Sequence, residues 1–264
     1  MATAPRRKSA LRFFVLVFSL SIPFWLVGAV AGRQLLPGLP VVDALIAVCP
    51  LLAASILTYR ESGTAGVKEL LKRAFDYKSI RARVWYVPIL LLMPATTVVA
   101  YGLMRVMGLP LPPPHIPVLA APLLFVAFFI GAVGEEVGWS GYATEGMLER
   151  WNAVQTGILL GLVWAAWHVV QLVQLHRPPT WIAWWSLLTV AARVLIVWLY
   201  DSTGRSVFAA VLFHAMMNVS WQLFPNRGSH WDPRINGLVL AAVAAIVAIA
   251  SRSAADRGRS LRRT

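Results

Sequence analysis

Two adjacent acids, Glu135 and Glu136, interrupt an apolar run that opens at Pro117 and Val118, and later apolar runs carry His168, His214 and Asn218. A carboxylate in hydrocarbon is costly, so such residues face a bundle interior or a wet cavity where they have a task. Two carboxylates, two imidazoles and an amide are the parts of an acid/base site. Burial among apolar groups disfavours the charged form of a carboxylate, and a second acid beside it adds like-charge repulsion. Both effects improve a carboxylate as a proton acceptor near neutral pH.

The elements that must hold these groups are membrane helices. The 264 residues are 58% hydrophobic and 13% charged, with a mean hydropathy of +0.67. That is too apolar for an ordinary soluble domain, and stretches of about 20 apolar residues recur along the chain. The pattern predicts an all-α polytopic bundle of eight spans at 13–31, 41–58, 84–104, 118–144, 154–175, 182–200, 206–224 and 236–250. The fourth contains Gly138 and Gly141, which leaves seven spans and a re-entrant segment as the alternative. No alternating ten-residue pattern points to a barrel, so the backbone must pair within helices. The whole chain, 1–264, reads as one membrane domain without internal repeats, and 118–224 as its catalytic core.

Charge orients the bundle. With both termini inside, the inner segments hold 18 of the 24 basic residues: Arg6, Arg7, Lys8 and Arg12, seven between Arg60 and Arg83, Arg150, Arg205 and five in the tail. Arg33, Arg105, Arg177, Arg227 and Arg234 fall on the outer side, and Arg193 lies within a span. The positive-inside rule places both termini in the cytoplasm of a multi-pass cell-membrane protein. The net charge of +13 is thereby read as orientation and attraction to anionic lipid, and nucleic acid is excluded as a partner. Arg6-Arg7-Lys8, an apolar run and Ala29-Val30-Ala31 mimic a secretory signal, but the run is longer than a usual signal core, so it is expected to stay as the first span. Cys49 is the only cysteine, which rules out a disulfide framework and a cysteine metal site.

Between the second and third spans, Val67, Leu70, Leu71, Ala74 and Phe75 alternate at helical spacing with Lys68, Glu69, Lys72 and Arg73. This predicts a short amphipathic helix at the inner surface or a solvated linker. Most of the twelve tryptophans are read as interfacial anchors and packing.

Position along the spans brings the polar residues to one depth. The fourth and fifth spans turn around Asn152 and are expected to form an antiparallel hairpin. Glu136 and His168 each lie about 24 Å from that turn at about 1.5 Å per residue. Counted from Thr203, His214 and Asn218 lie about 16 and 22 Å along the seventh span. Being four apart, those two project from one face.

The segments Gly134-Glu135-Glu136-Val137-Gly138-Trp139-Ser140, Trp164-Ala165-Ala166-Trp167-His168 and His214-Ala215-Met216-Met217-Asn218 resemble the motifs of the CPBP family of intramembrane proteases. That family comprises CAAX prenyl endopeptidases and bacteriocin-processing or immunity proteins, also called Abi. Its pattern is EExxxR, FxxxH, then HxxxN or HxxxD. Two positions depart from it: the Arg is Ser140, and the Phe is Trp164, a conservative aromatic exchange. Losing the Arg removes a carboxylate partner, for which Arg193 is the candidate replacement.

The resemblance implies hydrolysis of a peptide bond within the membrane, on a peptide or lipidated protein substrate. Glu135 is assigned as general base, His168 as orienting the water, and His214 and Asn218 as donors to the oxyanion. Glu136 is assigned an auxiliary, structural part. No cofactor is expected. Should a divalent metal such as zinc take part, Glu135, His168 and His214 are the ligand types it requires, but the HExxH signature of soluble metalloproteases is absent. The alternative function is non-catalytic, an immunity or scaffold protein or a small proton-coupled transporter.

Overall fold

A computed structural model describes residues 8–31, 34–36, 39–111, 113–224, 227, 228 and 230–261. Arg6, Arg7, Arg33, Pro112, Arg262 and Arg263 lie outside them. The described chain is an all-α polytopic bundle. Helix α1 (Ala10–Ala31) is followed by a small antiparallel hairpin, β1 (Gln34–Leu36) with β2 (Leu39–Pro40), and by the short α2 (Val41–Ile46). Then come α3 (Cys49–Arg73), α4 (Tyr86–Val106), α5 (Ala121–Gly138), α6 (Glu145–Leu148), α7 (Ala153–Gln174), α8 (Pro179–Ser202), α9 (Val207–Leu223) and α10 (Pro233–Leu261). Seven helical segments are long and apolar enough to cross a membrane, and α9, at 17 residues, is a shorter apolar helix. Among the described residues the eight predicted spans thus correspond to eight helical segments, seven of which are long and apolar enough to cross.

The glycines of the fourth span do not make it re-enter. α5 runs on through a π-helical turn, Trp139–Thr144, into α6, and the Thr144 hydroxyl donates back to the Trp139 carbonyl at 2.8 Å. Such single-turn widenings of a helix recur at functional sites. Beyond the second predicted span, α3 breaks at Gly63, whose φ of 64° only glycine adopts without cost. It then resumes as the predicted amphipathic helix, with Leu70 buried and Lys68 and Glu69 exposed.

The starts of the site-bearing helices follow local rules. Asn152 and Gln155 form a reciprocal capping box at the head of α7, and the Ser206 hydroxyl accepts from the Ala209 amide to open α9. The packing corrects one expectation. α5 packs chiefly on α3 and α9, while α7 packs chiefly on α8, so the two arms of the expected hairpin do not pack along their length. Small residues decide these partners. Gly157 and Gly161 let α7 approach the backbone of α8 at Val194 and Val190, and Gly138 lies against the backbone of Pro50 in α3.

Gly138 also follows Glu136 by only two residues, so its contact sets the position of the acids. A Cβ there would overlap the Pro50 carbonyl group, which backbone cannot easily yield. Gly138→Ala is expected to destabilise the protein by about 1–3 kcal/mol, read as a lowered unfolding temperature in detergent.

Candidate active site

The two adjacent glutamates have different surroundings. Glu136 on α5 is fully buried and meets three donors: Arg193 Nη1 of α8 at 2.8 Å, His214 Nδ1 of α9 at 2.8 Å and the Ser140 hydroxyl one turn on. Both oxygens are engaged, Oε2 by Arg193 and Ser140 and Oε1 by His214. Such a set complements a carboxylate anion and offsets its transfer from water. Ser140, at the position of the family arginine, is therefore itself a donor to Glu136, and Arg193 brings the cation from another helix. The Nε and Nη2 atoms of Arg193 have no hydrogen-bond partner among the described residues, and its guanidinium lies over the Trp164 ring, 3.9 Å from the centroid. Cation–π attraction is strongest when desolvated, as here.

Glu135, one residue earlier, lines a cavity of about 300 Å³ together with His168, His214, Asn218 and Trp164. Its Oε2 accepts from the Trp164 indole Nε1 at 2.8 Å. This corrects the reading of Trp164 as a conservative exchange: phenylalanine has no N–H to donate, and the tryptophan supplies the one bridge described between α7 and the cavity acid. Removing a hydrogen bond to a charged group costs about 1.5–3 kcal/mol. Trp164→Phe is accordingly expected to lower kcat/KM for peptide cleavage at least tenfold with the fold retained, measured by initial rates and circular dichroism.

The tautomers of both imidazoles follow from their partners. His168 Nδ1 sits 2.8 Å from the Trp164 carbonyl, which can only accept, so Nδ1 carries a proton and Nε2 the lone pair. His214 Nδ1 faces Glu136 in the same way. Both rings are further confined by tryptophans, His168 by Trp167 and Trp185 and His214 by Trp164, with centroids 4.7–5.3 Å apart. Asn218 lies one turn after His214 and is half-buried on the same cavity wall. The structure thus brings all five predicted site residues into one cluster. Four reach the cavity, and Glu136 lies behind it.

Among the described residues, no three His, Cys, Asp or Glu side chains are gathered so as to hold a metal ion. Glu135, His168 and His214 line one cavity without forming such a set.

Sequence reasoning missed much of the wall. Trp164, Trp167, Trp181, Trp185, Trp221 and Trp231 all line the cavity, which corrects the reading of most tryptophans as anchors and packing: half of the twelve face this space. A second network also went unread. Lys8 and Arg73 both bind Glu145, at 2.9 and 2.6 Å, and both donate to the Gly141 carbonyl in the π turn at 3.2 Å. Arg73 also reaches the Tyr200 hydroxyl at 2.8 Å. The turn that follows the acid pair is thereby tied to α3, α8 and the segment preceding α1.

The family model described as Type II CAAX prenyl endopeptidase Rce1-like matches residues 117–220, the stretch that contains every member of the cluster. CAAX prenyl protease 2 of Methanococcus maripaludis is 23% identical over 241 residues, covering 80% of this chain and 83% of that protein. Residues 117–220 of this multi-pass membrane protein are therefore similar to an Rce1-like CAAX prenyl endopeptidase domain.

Proposed function

We propose that this protein is an intramembrane endopeptidase in which Glu135 activates the water that attacks a peptide carbonyl. The observation that carries the reading is the division between the acids. Glu136 is saturated by Arg193, His214 and Ser140, whereas Glu135 faces the cavity with Oε2 held by Trp164. Oε1 of Glu135 is then the oxygen that takes the water proton. His168 presents the Nε2 lone pair and orients that water. The hydroxide adds to the carbonyl, and the oxyanion accepts from the Asn218 amide, while His214 keeps its Nδ1–H on Glu136. Preorganised donors in a dry site contribute about 3–4 kcal/mol each. The proton held on Glu135 passes to the departing amine, and the base is restored.

Each step uses side chains of this chain alone. The substrate is a peptide segment at the membrane, and the name of the archaeal relative makes a prenylated C-terminal peptide one substrate to assay.

The test is a cleavage assay in detergent and in liposomes with quenched peptides, with and without 1,10-phenanthroline. Cleavage by the wild type that the chelator leaves unchanged is the expected result. Chelator-sensitive cleavage overturns the metal-free mechanism. Absence of cleavage across a broad peptide library, with a biological effect that survives loss of Glu135, favours a scaffold, and proton-coupled flux in liposomes favours a transporter.

A further inference from the structure

The cation that neutralises Glu136 makes a second contact. Arg193 leaves α8 beside Gly161 of α7, where an added Cβ would meet the Arg193 Cβ at 3.2 Å. Gly161 and Trp164, at i and i+3, share one face of α7, so a long side chain that passes the glycine reaches the indole one turn on. The Arg193 Cζ lies 3.9 Å from the Trp164 ring centroid. A carbon approaching in the plane of the ring would be stopped about 5 Å from the centroid by contact with the ring atoms, so the guanidinium lies over the face. Both residues are buried, Arg193 fully. Its Nη1 is committed to Glu136, and for Nε and Nη2, which have no hydrogen-bond partner among the described residues, the π face offsets part of the cost of leaving water.

The same tryptophan holds the cavity groups. Its Nε1 donates to Glu135 Oε2 at 2.8 Å, its backbone carbonyl accepts from His168 Nδ1 at 2.8 Å, and its ring stands edge to face with that of His214 at 5.3 Å. A cation on the face and a carboxylate at the edge suit one ring. The cation draws electron density from the π system and makes the N–H a stronger donor, as polarised groups in a low-dielectric chain reinforce one another. The flat guanidinium also keeps the indole from turning about χ2, because the ring would have to sweep through it.

Resting on the peptidase reading of Glu135, we infer that Arg193 is a positioning residue for the general base, acting on Glu135 through the stacked Trp164 indole as well as on Glu136 directly. The two departures from the motif are then one coupled change. With the cation on α8 and Ser140 in place of the motif arginine, a guanidinium reaches the ring face. With Trp in place of Phe at position 164, that ring carries an N–H through which the base is held. One buried cation thereby serves both acids, the first through an ion pair and the second through a ring.

A double-mutant cycle on the full chain in detergent tests this. Arg193→Lys keeps a cation for Glu136 but has no planar face to lie on the indole, and Trp164→Phe keeps a ring but has no N–H. With Trp164 present, Arg193→Lys is expected to lower kcat for a quenched peptide about fivefold and to change KM by less than about twofold, the mark of an interaction that positions the reacting groups. In the Trp164→Phe background the same lysine is expected to change kcat by less than about twofold, since the connection is already cut. Equal losses in the two backgrounds, or wild-type kcat in Arg193→Lys, overturn the inference. If Arg193→Lys does not accumulate, Arg193→Met with Glu136→Gln takes its place in the cycle, where any effect through His214 is common to both backgrounds and cancels.

A second readout needs no turnover. The indole nitrogen–proton resonance of Trp164, identified by its loss in Trp164→Phe, is expected to move upfield in Arg193→Lys as the cation leaves the ring and the bond to Glu135 weakens. An unmoved resonance with intact cleavage sinks this inference alone. A moved resonance in a protein that cleaves no peptide leaves the coupling standing and sinks the peptidase reading.

Discussion

Glu135→Gln is expected to lower peptide cleavage by about 10²–10⁴-fold, the range contributed by a positioned general base, while leaving the protein folded. Glutamine keeps the side-chain length and a carbonyl oxygen to accept from Trp164 Nε1, so the cavity wall retains its shape. What it loses is the capacity to take a proton from water. Because Glu135 lines a cavity and takes no part in the buried ion pair, its neutralisation leaves no cation stranded. The measurement is kcat on a quenched peptide beside the unfolding temperature in the same detergent. Wild-type turnover by this variant would remove Glu135 from the reaction, and a large drop in unfolding temperature would make its part structural.

The largest effect on stability is expected at Arg193. Arg193→Leu removes the cation from a fully buried carboxylate and leaves Glu136 with only His214 and Ser140 as donors. Breaking one partner of a buried pair costs about 3–5 kcal/mol, since the remaining charge stays desolvated, whereas removing both charges is often close to neutral. Arg193→Leu should therefore unfold at markedly lower temperature or fail to accumulate, and Arg193→Met with Glu136→Gln should recover much of the loss. A double-mutant cycle on unfolding free energies reads the coupling directly. Additive effects would show that the pair acts as two independent residues. The same cycle on kcat tests whether Glu136 reaches the chemistry through His214, because the double variant restores packing without restoring the anion that faces the ring.

The depth of the cluster was legible before the structure because depth depends only on residue number and a rise of about 1.5 Å per residue. Glu136, His168 and His214 could be laid at comparable levels by counting from Asn152 and Thr203, and Arg193 could be flagged by its cost in lipid. Rotation about each helix axis was not legible, since it depends on which faces pack. The contacts of Gly138 with Pro50 and of Gly157 and Gly161 with α8 set those rotations, and nothing local to a glycine names its neighbour. For the same reason the pairing of α7 with α8 displaced the expected hairpin of the fourth and fifth spans. At Trp164 the aromatic ring matches the motif, and the indole N–H is the sequence signal that this residue can serve an acid. Glu145 carries no local signal of its part, since its partners Lys8 and Arg73 are 137 and 72 residues away.

Consecutive residues on a helix point about 100° apart, and here that angle separates two acids with different obligations. Natural variation or directed evolution can reshape the wall around Glu135, exchanging Trp181 or Trp185, without disturbing the charges that Glu136 balances on the far side of the same helix. Retargeting such a scaffold to new peptides is then a matter of lining alone, and the neutralised core can be inherited unchanged.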